Sequence, residues 1–215
     1  MIISHGRQYI FVHIPKTGGT SLSLALEAKA MKDDILIGDT PKAKKRRKRY
    51  KDIQVSGRLW KHARLTDIYG LVTQEQIENY FVFTIVRNPW DRIVSYYHWL
   101  KIQNFDHLAV GIAKNHEFTE FLAQPAIQHS LQYDATRQYI CDQNGNAQCN
   151  MYLRIEHLSR DVRRLEQHLG IKLAAVPHDN RSKRDQTYAD YYNVQSKNMV
   201  SNLFADDIKK FNYAF

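Results

Sequence analysis

A short glycine-bearing run near the start of the chain has residue types that suit anion binding. Its members are Lys16, Thr17, Gly18, Gly19, Thr20 and Ser21. Glycines let a backbone approach a ligand closely, and the start of a following helix presents unpaired N–H groups with a partial positive charge. A lysine and hydroxyl groups beside such a helix start favour phosphate. The same run is also compatible with an ordinary strand–helix turn in which the two glycines only permit tight packing.

The spacing of this run excludes two common nucleotide motifs. In the ATP-binding pattern GxxxxGK[ST], the lysine follows the last glycine. Here Lys16 precedes both glycines. The dinucleotide pattern GxGxxG is absent from the run as well.

A second candidate anion site follows another strand-like run, 80–86 (YFVFTIV). Arg87 comes directly after it and is therefore expected at the carboxyl edge of an open α/β sheet, where ligands bind. A guanidinium can hold a phosphate through two parallel hydrogen bonds. The structural alternative is an ion pair between Arg87 and Asp91. We expect Arg92, on another face of the following helix, to form a salt bridge.

At both places a strand, a polar turn and a helix follow one another directly. The apolar run 8–14 precedes the first turn and a helix-forming segment at 22–30 follows it, whereas a helix is predicted at 90–103 after the second. Alternating strands and helices indicate a mainly parallel sheet covered on both faces. Further strands are predicted at 34–38, 52–57 and 151–155. Further helices are predicted at 65–69, 73–79, 116–122, 130–139, 159–169, 188–203 and 206–211.

The composition fits one domain spanning residues 1–215. Hydrophobic residues make up 43% of the 215 positions, enough for a sizeable core, so disorder as the main state is excluded. No apolar run approaches the ~18–20 residues of a spanning helix. The first residues lack the pattern of a secretory signal, so we expect a cytoplasmic protein.

Two cysteines, Cys141 and Cys149, do not make a disulfide scaffold, and the turn between them leaves direct pairing open.

The positive charge is concentrated in one segment. The formal net charge is +9, and the run 42–51 (KAKKRRKRYK) supplies most of it. Charge runs of this kind are usually solvated, so we expect a flexible basic loop at 41–52 and no nucleic-acid partner. The alternative is a non-catalytic polyanion or nucleic-acid binder that uses this run.

The two candidate sites together resemble a known family. The run 11–21 (FVHIPKTGGTS) resembles the 5′-phosphosulfate loop of sulfotransferases, most closely that of the carbohydrate sulfotransferase branch with soluble bacterial members. Arg87-Asn88-Pro89 with Ser95 resembles the family's 3′-phosphate motif. The resemblance implies a P-loop-like three-layer α/β fold and 3′-phosphoadenosine 5′-phosphosulfate (PAPS) as co-substrate, with no metal. Its implied ligands are Lys16, Thr17, Gly18, Gly19, Thr20, Ser21, Arg87 and Ser95.

Weaker similarities extend over nearly the whole chain. The segment 57–63 (GRLWKHA) resembles a family element at the acceptor site, and the run 177–182 resembles a loop near the nucleotide, where Ser182 and Arg184 reach the cofactor or lie in an exposed polar loop. The basic run is the one departure from the family pattern.

The resemblance implies sulfuryl transfer to an acceptor hydroxyl, in line with the leaving phosphate. His62 is the candidate base, because a histidine accepts a proton near neutral pH. Lys16 would stabilise the leaving phosphate. Glu156 is the second candidate base, or else a buried carboxylate that organises a loop, and His13 is expected to be structural.

The resemblance also suggests the acceptor class. It implies a small-molecule or glycan acceptor, and an acidic glycan would suit the basic run. A kinase-like phosphoryl transferase on the same scaffold is the alternative enzyme, and it predicts ATP binding that depends on magnesium. The sequence does not determine the oligomeric state.

Overall fold

A computed structural model of the protein describes residues 1–174 and 187–215. Its sheet has five strands in the order β3-β1-β2-β4-β5. The strands are β1 Ile2–Ser4, β2 Tyr9–Val12, β3 Ile35–Leu36, β4 Phe81–Val86 and β5 Met151–Arg154. Strand β1 runs antiparallel to both of its neighbours, and β2, β4 and β5 are parallel. The prediction of a mainly parallel sheet is therefore confirmed.

Strands β2 and β4 are direct neighbours, which matters for the site. Val12 stands opposite Thr84 in their parallel register, and the Thr84 hydroxyl donates a hydrogen bond to the Val12 carbonyl at 2.7 Å. Because the strands are parallel, their carboxyl ends lie at the same edge of the sheet. Both predicted phosphate motifs begin where one of these strands ends.

Eleven helices accompany the sheet within the described ranges. They are α1 Gly19–Ala28, α2 Pro41–Arg46, α3 Gln74–Asn79, α4 Pro89–Lys101, α5 Leu108–Asn115, α6 Phe118–Ala123, α7 Pro125–Gln132, α8 Thr136–Ile140, α9 Leu158–Leu169, α10 Val194–Leu203 and α11 Ala205–Phe211. Short 3₁₀ helices lie at Arg47–Arg49, Leu65–Asp67, Ile155–His157 and Tyr188–Tyr191. None of these helices has the length and apolar character needed to cross a bilayer.

The chain divides into two compact units. The first contains the sheet and comprises residues 1–86 and, of the later chain, 137–174. Alternate strand residues enter two separate cores, with Ile10 and Val82 on one face and Phe11 and Phe83 on the other. Leucines of α1 and α9 cover the second face, whereas 65–72, α3 and α8 cover the first. These three layers confirm the predicted α/β architecture.

The second unit is helical and comprises residues 87–136 and 187–215. Arg92 is buried and donates to the backbone carbonyl and the carboxylate of Asp134 at 2.8 and 2.7 Å, so its predicted salt bridge is confirmed. Asp207 accepts hydrogen bonds from the backbone and hydroxyl of Thr136, and burial raises the pKa of its carboxyl. The expectation that 1–215 forms one domain stays a prediction.

The basic run is helical where a loop was expected. Helix α2 begins with Pro41. Thr40 is its N-cap, and the Thr40 side chain accepts a hydrogen bond from the Ala43 N–H at 3.0 Å. Ala43 and Tyr50 are buried, and the Tyr50 hydroxyl donates to the Leu36 carbonyl at 2.9 Å. Burial of Ala43 and Tyr50 thus holds the basic run against the rest of the unit, although its composition alone suggested a solvated loop.

The strand expected at 52–57 is wrong. Its backbone N–H groups at Ser56 and Gly57 donate to the carbonyls of Tyr69 and Asp67, both at 3.1 Å, so the segment is bonded to residues 67–69 rather than to a strand of the sheet. The turn between the cysteines also differs from the sequence reading. Cys141 pairs with Ala147, and both cysteines are free thiols.

Candidate active site

The turn between β2 and α1 is the most tightly constrained part of the site. Lys16 and Gly18 both have left-handed backbone conformations, with φ of 61° and 83°. The buried Thr17 hydroxyl donates a hydrogen bond to the Ile14 carbonyl at 2.9 Å. A left-handed residue other than glycine is uncommon, so the backbone at Lys16 is held by its surroundings.

Both glycines of the turn are required by close packing. A Cβ on Gly18 would lie 2.6 Å from Cδ1 of Ile155, and one on Gly19 would lie 2.3 Å from Cδ2 of His13. Gly18 and Gly19 therefore permit tight packing of the turn, as the structural alternative in the sequence analysis expected.

The start of α1 nevertheless stays open to an anion. The Gly18 N-cap supplies no side-chain hydrogen bond, and the first turn contains no acidic residue. Thr20 is exposed, Ser21 is buried and Lys16 is half-buried. An uncapped helix start beside a lysine fits a phosphate group, because its first N–H groups and its dipole both favour negative charge.

His62 is hydrogen-bonded to the residue between β2 and this turn. Its Nδ1 lies 2.8 Å from the backbone carbonyl of His13. A carbonyl can only accept, so Nδ1 carries the proton and Nε2 is the basic nitrogen of the neutral ring. The Trp60 and His62 rings lie edge to face, with centroids 5.0 Å apart. The hydrogen bond fixes both the orientation and the tautomer of the candidate base.

His13 takes a larger part in the site than the sequence indicated. Its imidazole is buried beside Gly19, and its ring centroid lies 4.6 Å from that of His62. Burial, followed by the nearby positive charge of His62 in its protonated form, holds the pKa of His13 well below its usual value. His13 thus stays neutral while its carbonyl orients His62. No local sequence signal connects the two, since they lie 49 residues apart.

A polar pocket of about 280 Å³ opens beside His62. Its lining residues are Arg58, Trp60, His62, Arg64, Asp67 and Tyr139. Arg58 lies over the Trp60 ring, with the guanidinium carbon 5.3 Å from the centroid. The segment 57–63 was expected at the acceptor site, but Tyr139 belongs to a distant part of the sequence that gave no such signal.

Arg87 forms the ion pair that was the structural alternative to phosphate binding. Its Nε and Nη2 both lie 2.7 Å from Oδ2 of Asp91. The Asn88 side chain caps α4 by accepting from the N–H of Trp90 at 3.0 Å. Ser95 is buried on the same helix. The ion pair does not by itself decide whether Arg87 is also a phosphate ligand, which stays a prediction.

The remaining predicted residues have different outcomes. Glu156 is exposed and lies 3.9 Å from Nε of Arg154, so the reading of a buried carboxylate is wrong. Ser182 and Arg184, with the run 177–182, lie outside the described residues. Within the part of the chain that the structure describes, no cluster of three His, Cys, Asp or Glu residues could hold a metal ion.

The central sheet flanked by helices, with an open helix start directly after a parallel strand, is a P-loop-like α/β arrangement. The sequence profile of the sulfotransferase family matches residues 1–214, so the chain belongs to this family and is a transferase of sulfuryl groups.

Two further comparisons were made. None of the curated proteins compared with the chain matches it. Among solved structures, the crystal structure of the mouse sulfotransferase SULT7A1 complexed with PAP is similar to it, with 12% identity and a TM-score of 0.44 over 96% of this chain and 85% of that chain.

Proposed function

We propose that the protein transfers the sulfuryl group of PAPS to a hydroxyl of a carbohydrate or glycoconjugate, with His62 as the general base. One observation carries the proposal: the hydrogen bond from Nδ1 of His62 to the His13 carbonyl. It links the candidate base to the strand that leads into the phosphate turn, and it makes Nε2 the nitrogen that can accept a proton.

The phosphate turn would bind the donor. In this proposal the N–H groups at the start of α1 and the Lys16 ammonium hold the 5′-phosphosulfate. As the sulfur–oxygen bond to the phosphate breaks, negative charge develops on the leaving oxygen. Donors that are already oriented toward that oxygen stabilise the charge without reorganising. The buried hydrogen bond of Thr17 keeps the turn in this arrangement.

The pocket beside His62 would bind the acceptor. The Trp60 side chain is 40% exposed, so its indole offers a flat apolar surface against which a sugar ring can pack. The acceptor hydroxyl forms the new bond to sulfur and gives its proton to Nε2 of His62. Holding acceptor and donor in line supplies much of the rate enhancement expected of such a transfer.

The second phosphate motif would bind the other end of the donor. We propose that Arg87 holds the 3′-phosphate of PAPS together with Ser95. A guanidinium that already donates to one carboxylate, that of Asp91, is oriented before the ligand arrives. This role predicts that the enzyme distinguishes nucleotides by their 3′-phosphate.

Substitution of His62 tests the base. His62→Asn keeps a donor near the Nδ1 position but removes Nε2, so we expect kcat to fall by about 10²–10⁴-fold, the usual contribution of a general base. Calorimetry should give an unchanged Kd for 3′,5′-adenosine bisphosphate. His129→Ala, at an exposed histidine, is the control and should retain full activity. Near-normal turnover by the asparagine variant would remove His62 from this role.

The same calorimetry separates the two enzyme classes. We expect 3′,5′-adenosine bisphosphate to bind without magnesium and more tightly than ATP. Tighter binding of ATP that requires magnesium would contradict the proposed donor and favour a phosphoryl transferase.

A further inference from the structure

The first unit contains a second cavity, of about 390 Å³, which shares no lining residue with the phosphate turn or with the pocket beside His62. One wall is formed by residues 32–35, and the other by the end of α2 and the residues after it. The lining residues are Lys32, Asp33, Asp34, Ile35, Arg46, Arg49, Tyr50 and Ile53. Cavities of this size commonly enclose small ligands.

Two arginines join the walls of this cavity. Nη1 of Arg46 donates to the carbonyls of Met31 and Asp34 at 2.8 and 3.1 Å. Nη1 of Arg49 donates to the Lys32 carbonyl. An arginine has five N–H donors, and within the described residues no hydrogen bond or ion pair uses Nε or Nη2 of either arginine. Both guanidiniums are thus held between the walls with donors available to a ligand.

The cavity lining has an excess of positive charge. No ion pair joins Lys32 or the two arginines to a carboxylate in the part of the chain that the structure describes. Of the two lining carboxylates, that of Asp34 lies 3.8 Å from Nη1 of Arg7, which is not a lining residue. Asp33 is left to offset three cations, so a ligand with two negative charges would bring the lining to neutrality.

The rest of the lining is apolar. Ile35 is half-buried and Ile53 is 42% exposed. Tyr50 is buried, and its hydroxyl donates to the Leu36 carbonyl at 2.9 Å, so it contributes its ring to the lining rather than a free hydroxyl. An apolar group that covers these side chains removes their surface from water, which favours binding.

We propose that this cavity binds an organic phosphate monoester, with the phosphate between Arg46 and Arg49 and the apolar part against Ile35 and Ile53. Above neutral pH a phosphate monoester is a dianion, which matches the excess of positive charge. Guanidiniums hold phosphate through paired hydrogen bonds. Backbone carbonyls already orient both of them, so little side-chain entropy is lost on binding. This site is additional to the donor and acceptor sites and does not depend on the proposed function.

Calorimetric titration of the full chain with phenyl phosphate at about pH 8, where its phosphate is a dianion, tests the proposal. The titration is run with and without an excess of 3′,5′-adenosine bisphosphate, which would occupy the phosphate turn. We expect phenyl phosphate to bind in both cases. It should bind more tightly than inorganic phosphate, which lacks the apolar part, and more tightly than phenyl sulfate, which carries one charge fewer.

Two double variants locate the site. Arg46→Gln/Arg49→Gln should bind phenyl phosphate roughly 10–100-fold more weakly, because hydrogen bonds to a charged group are lost at both positions. Lys45→Gln/Lys48→Gln is the matched control, since it removes the same charge from exposed positions of the same run that do not line the cavity. It should bind phenyl phosphate like the wild type.

A third variant covers the case in which the arginine variant unfolds at a lower Tm. Ile53→Glu places a negative charge in the lining at a partly exposed position and leaves the bonds of both arginines in place. We expect it to weaken phenyl phosphate binding by about tenfold or more through repulsion of like charges. Unchanged binding by this variant would exclude the cavity as the site.

Further outcomes would overturn the proposal. Equal losses in the two double variants would reduce the effect to net charge. Binding of phenyl phosphate that disappears in the presence of the bisphosphate would assign it to the phosphate turn. Inorganic phosphate or phenyl sulfate binding as tightly as phenyl phosphate would refute the proposed ligand class, and no binding of phenyl phosphate at millimolar concentration would end the proposal. If the bisphosphate itself does not bind, the proposed donor is contradicted, while the variants still decide on this cavity.

Discussion

Two helices of this protein begin directly after strands of the same sheet, and their first turns are built in opposite ways. Helix α1 begins after Gly18, which contributes no side-chain cap, and its first turn has no acidic residue. Helix α4 begins after Asn88, whose side chain accepts from two backbone N–H groups, and Pro89 and Asp91 follow in its first turn. The first helix leaves its N–H groups available to a ligand, whereas the second satisfies or removes them internally.

The difference shows how similar sequence patterns can support different kinds of anion binding. At α1, the backbone N–H groups and the helix dipole can hold an anion, and the two glycines allow the turn to pack closely against Ile155 and His13. At α4, Asn88 already bonds two of these N–H groups, so in the proposed function an anion bound nearby would be held by side chains, for which Arg87 and Ser95 are the predicted residues. We therefore expect the two ends of the donor to respond differently to nucleotide chemistry and to mutation.

Of the two helix starts, the open one is expected to show the larger effect. Lys16→Ala removes the cation beside the N–H groups of α1, and we expect kcat to fall by about 10²–10³-fold, the loss typical for one preorganised donor to a developing negative charge. Affinity for both adenosine 5′-phosphate and 3′,5′-adenosine bisphosphate should fall as well, since both carry the 5′-phosphate. Initial rates and calorimetry measure the two effects.

Lys29→Ala is the matched control, because Lys29 caps the opposite end of the same helix and is exposed. It should leave turnover and nucleotide affinity unchanged. An equal loss in the two variants would mean that only the overall charge matters, and the contrast between the helix starts would lose its meaning.

Sequence reasoning was most successful where the signal is local. The apolar runs at 8–14 and 80–86 gave β2 and β4, and the turn KTGGTS was placed correctly between a strand and a helix. The short strand β1 was missed because three residues, Ile2–Ser4, are too few to show an alternation of apolar and polar positions. The fold of the basic run depends on the tertiary contacts of Ala43 and Tyr50, which a charge pattern does not reveal.

The site shows the same limit. Lys16 and His62 could be proposed from a family resemblance, since each lies in a recognisable segment. The partnership of His62 with the His13 carbonyl, and the contribution of Tyr139 to the pocket, depend on how distant segments meet. Such contacts are decided by packing of the first core, not by the residues next to them in sequence.

The next prediction concerns the capped helix start. Arg87→Ala should weaken binding of 3′,5′-adenosine bisphosphate by roughly 10–100-fold, since a hydrogen bond to a charged group contributes about 1.5–3 kcal/mol. Binding of adenosine 5′-phosphate should not change, because it lacks the group that Arg87 would hold. This nucleotide dependence separates the variant from Lys16→Ala, which should affect both ligands.

Asp91→Asn controls for the ion pair of Arg87. It weakens the contact of the guanidinium with Oδ2, which lies 2.7 Å from both Nε and Nη2, but it keeps the cation. We expect the bisphosphate to bind nearly as well as to the wild type. If Asp91→Asn loses as much affinity as Arg87→Ala, Arg87 acts only through its structural ion pair.

The smallest expected effect is a pH dependence of stability that is specific to the open helix start. The pKa of buried His13 lies well below its ordinary value of 6.5, first because of desolvation and then because of His62. In the unfolded chain His13 takes up a proton near that ordinary value, whereas in the folded chain it stays neutral. The unfolded state therefore binds more protons than the folded state below pH 6.5. The stability that neutral His13 contributes is fully present above that pH and declines as the pH falls.

Denaturant unfolding between about pH 7 and pH 5 measures this contribution, with an expected slope of up to about 1.4 kcal/mol per pH unit. His13→Asn should flatten the pH dependence relative to the wild type. Asn88→Ala, at the capped helix start, should lower the free energy of unfolding by about 1 kcal/mol and leave its pH dependence unchanged, because no titrating group is lost. If the asparagine variant at position 13 keeps the full wild-type slope, a protonation elsewhere governs acid stability and His13 does not distinguish the two helix starts.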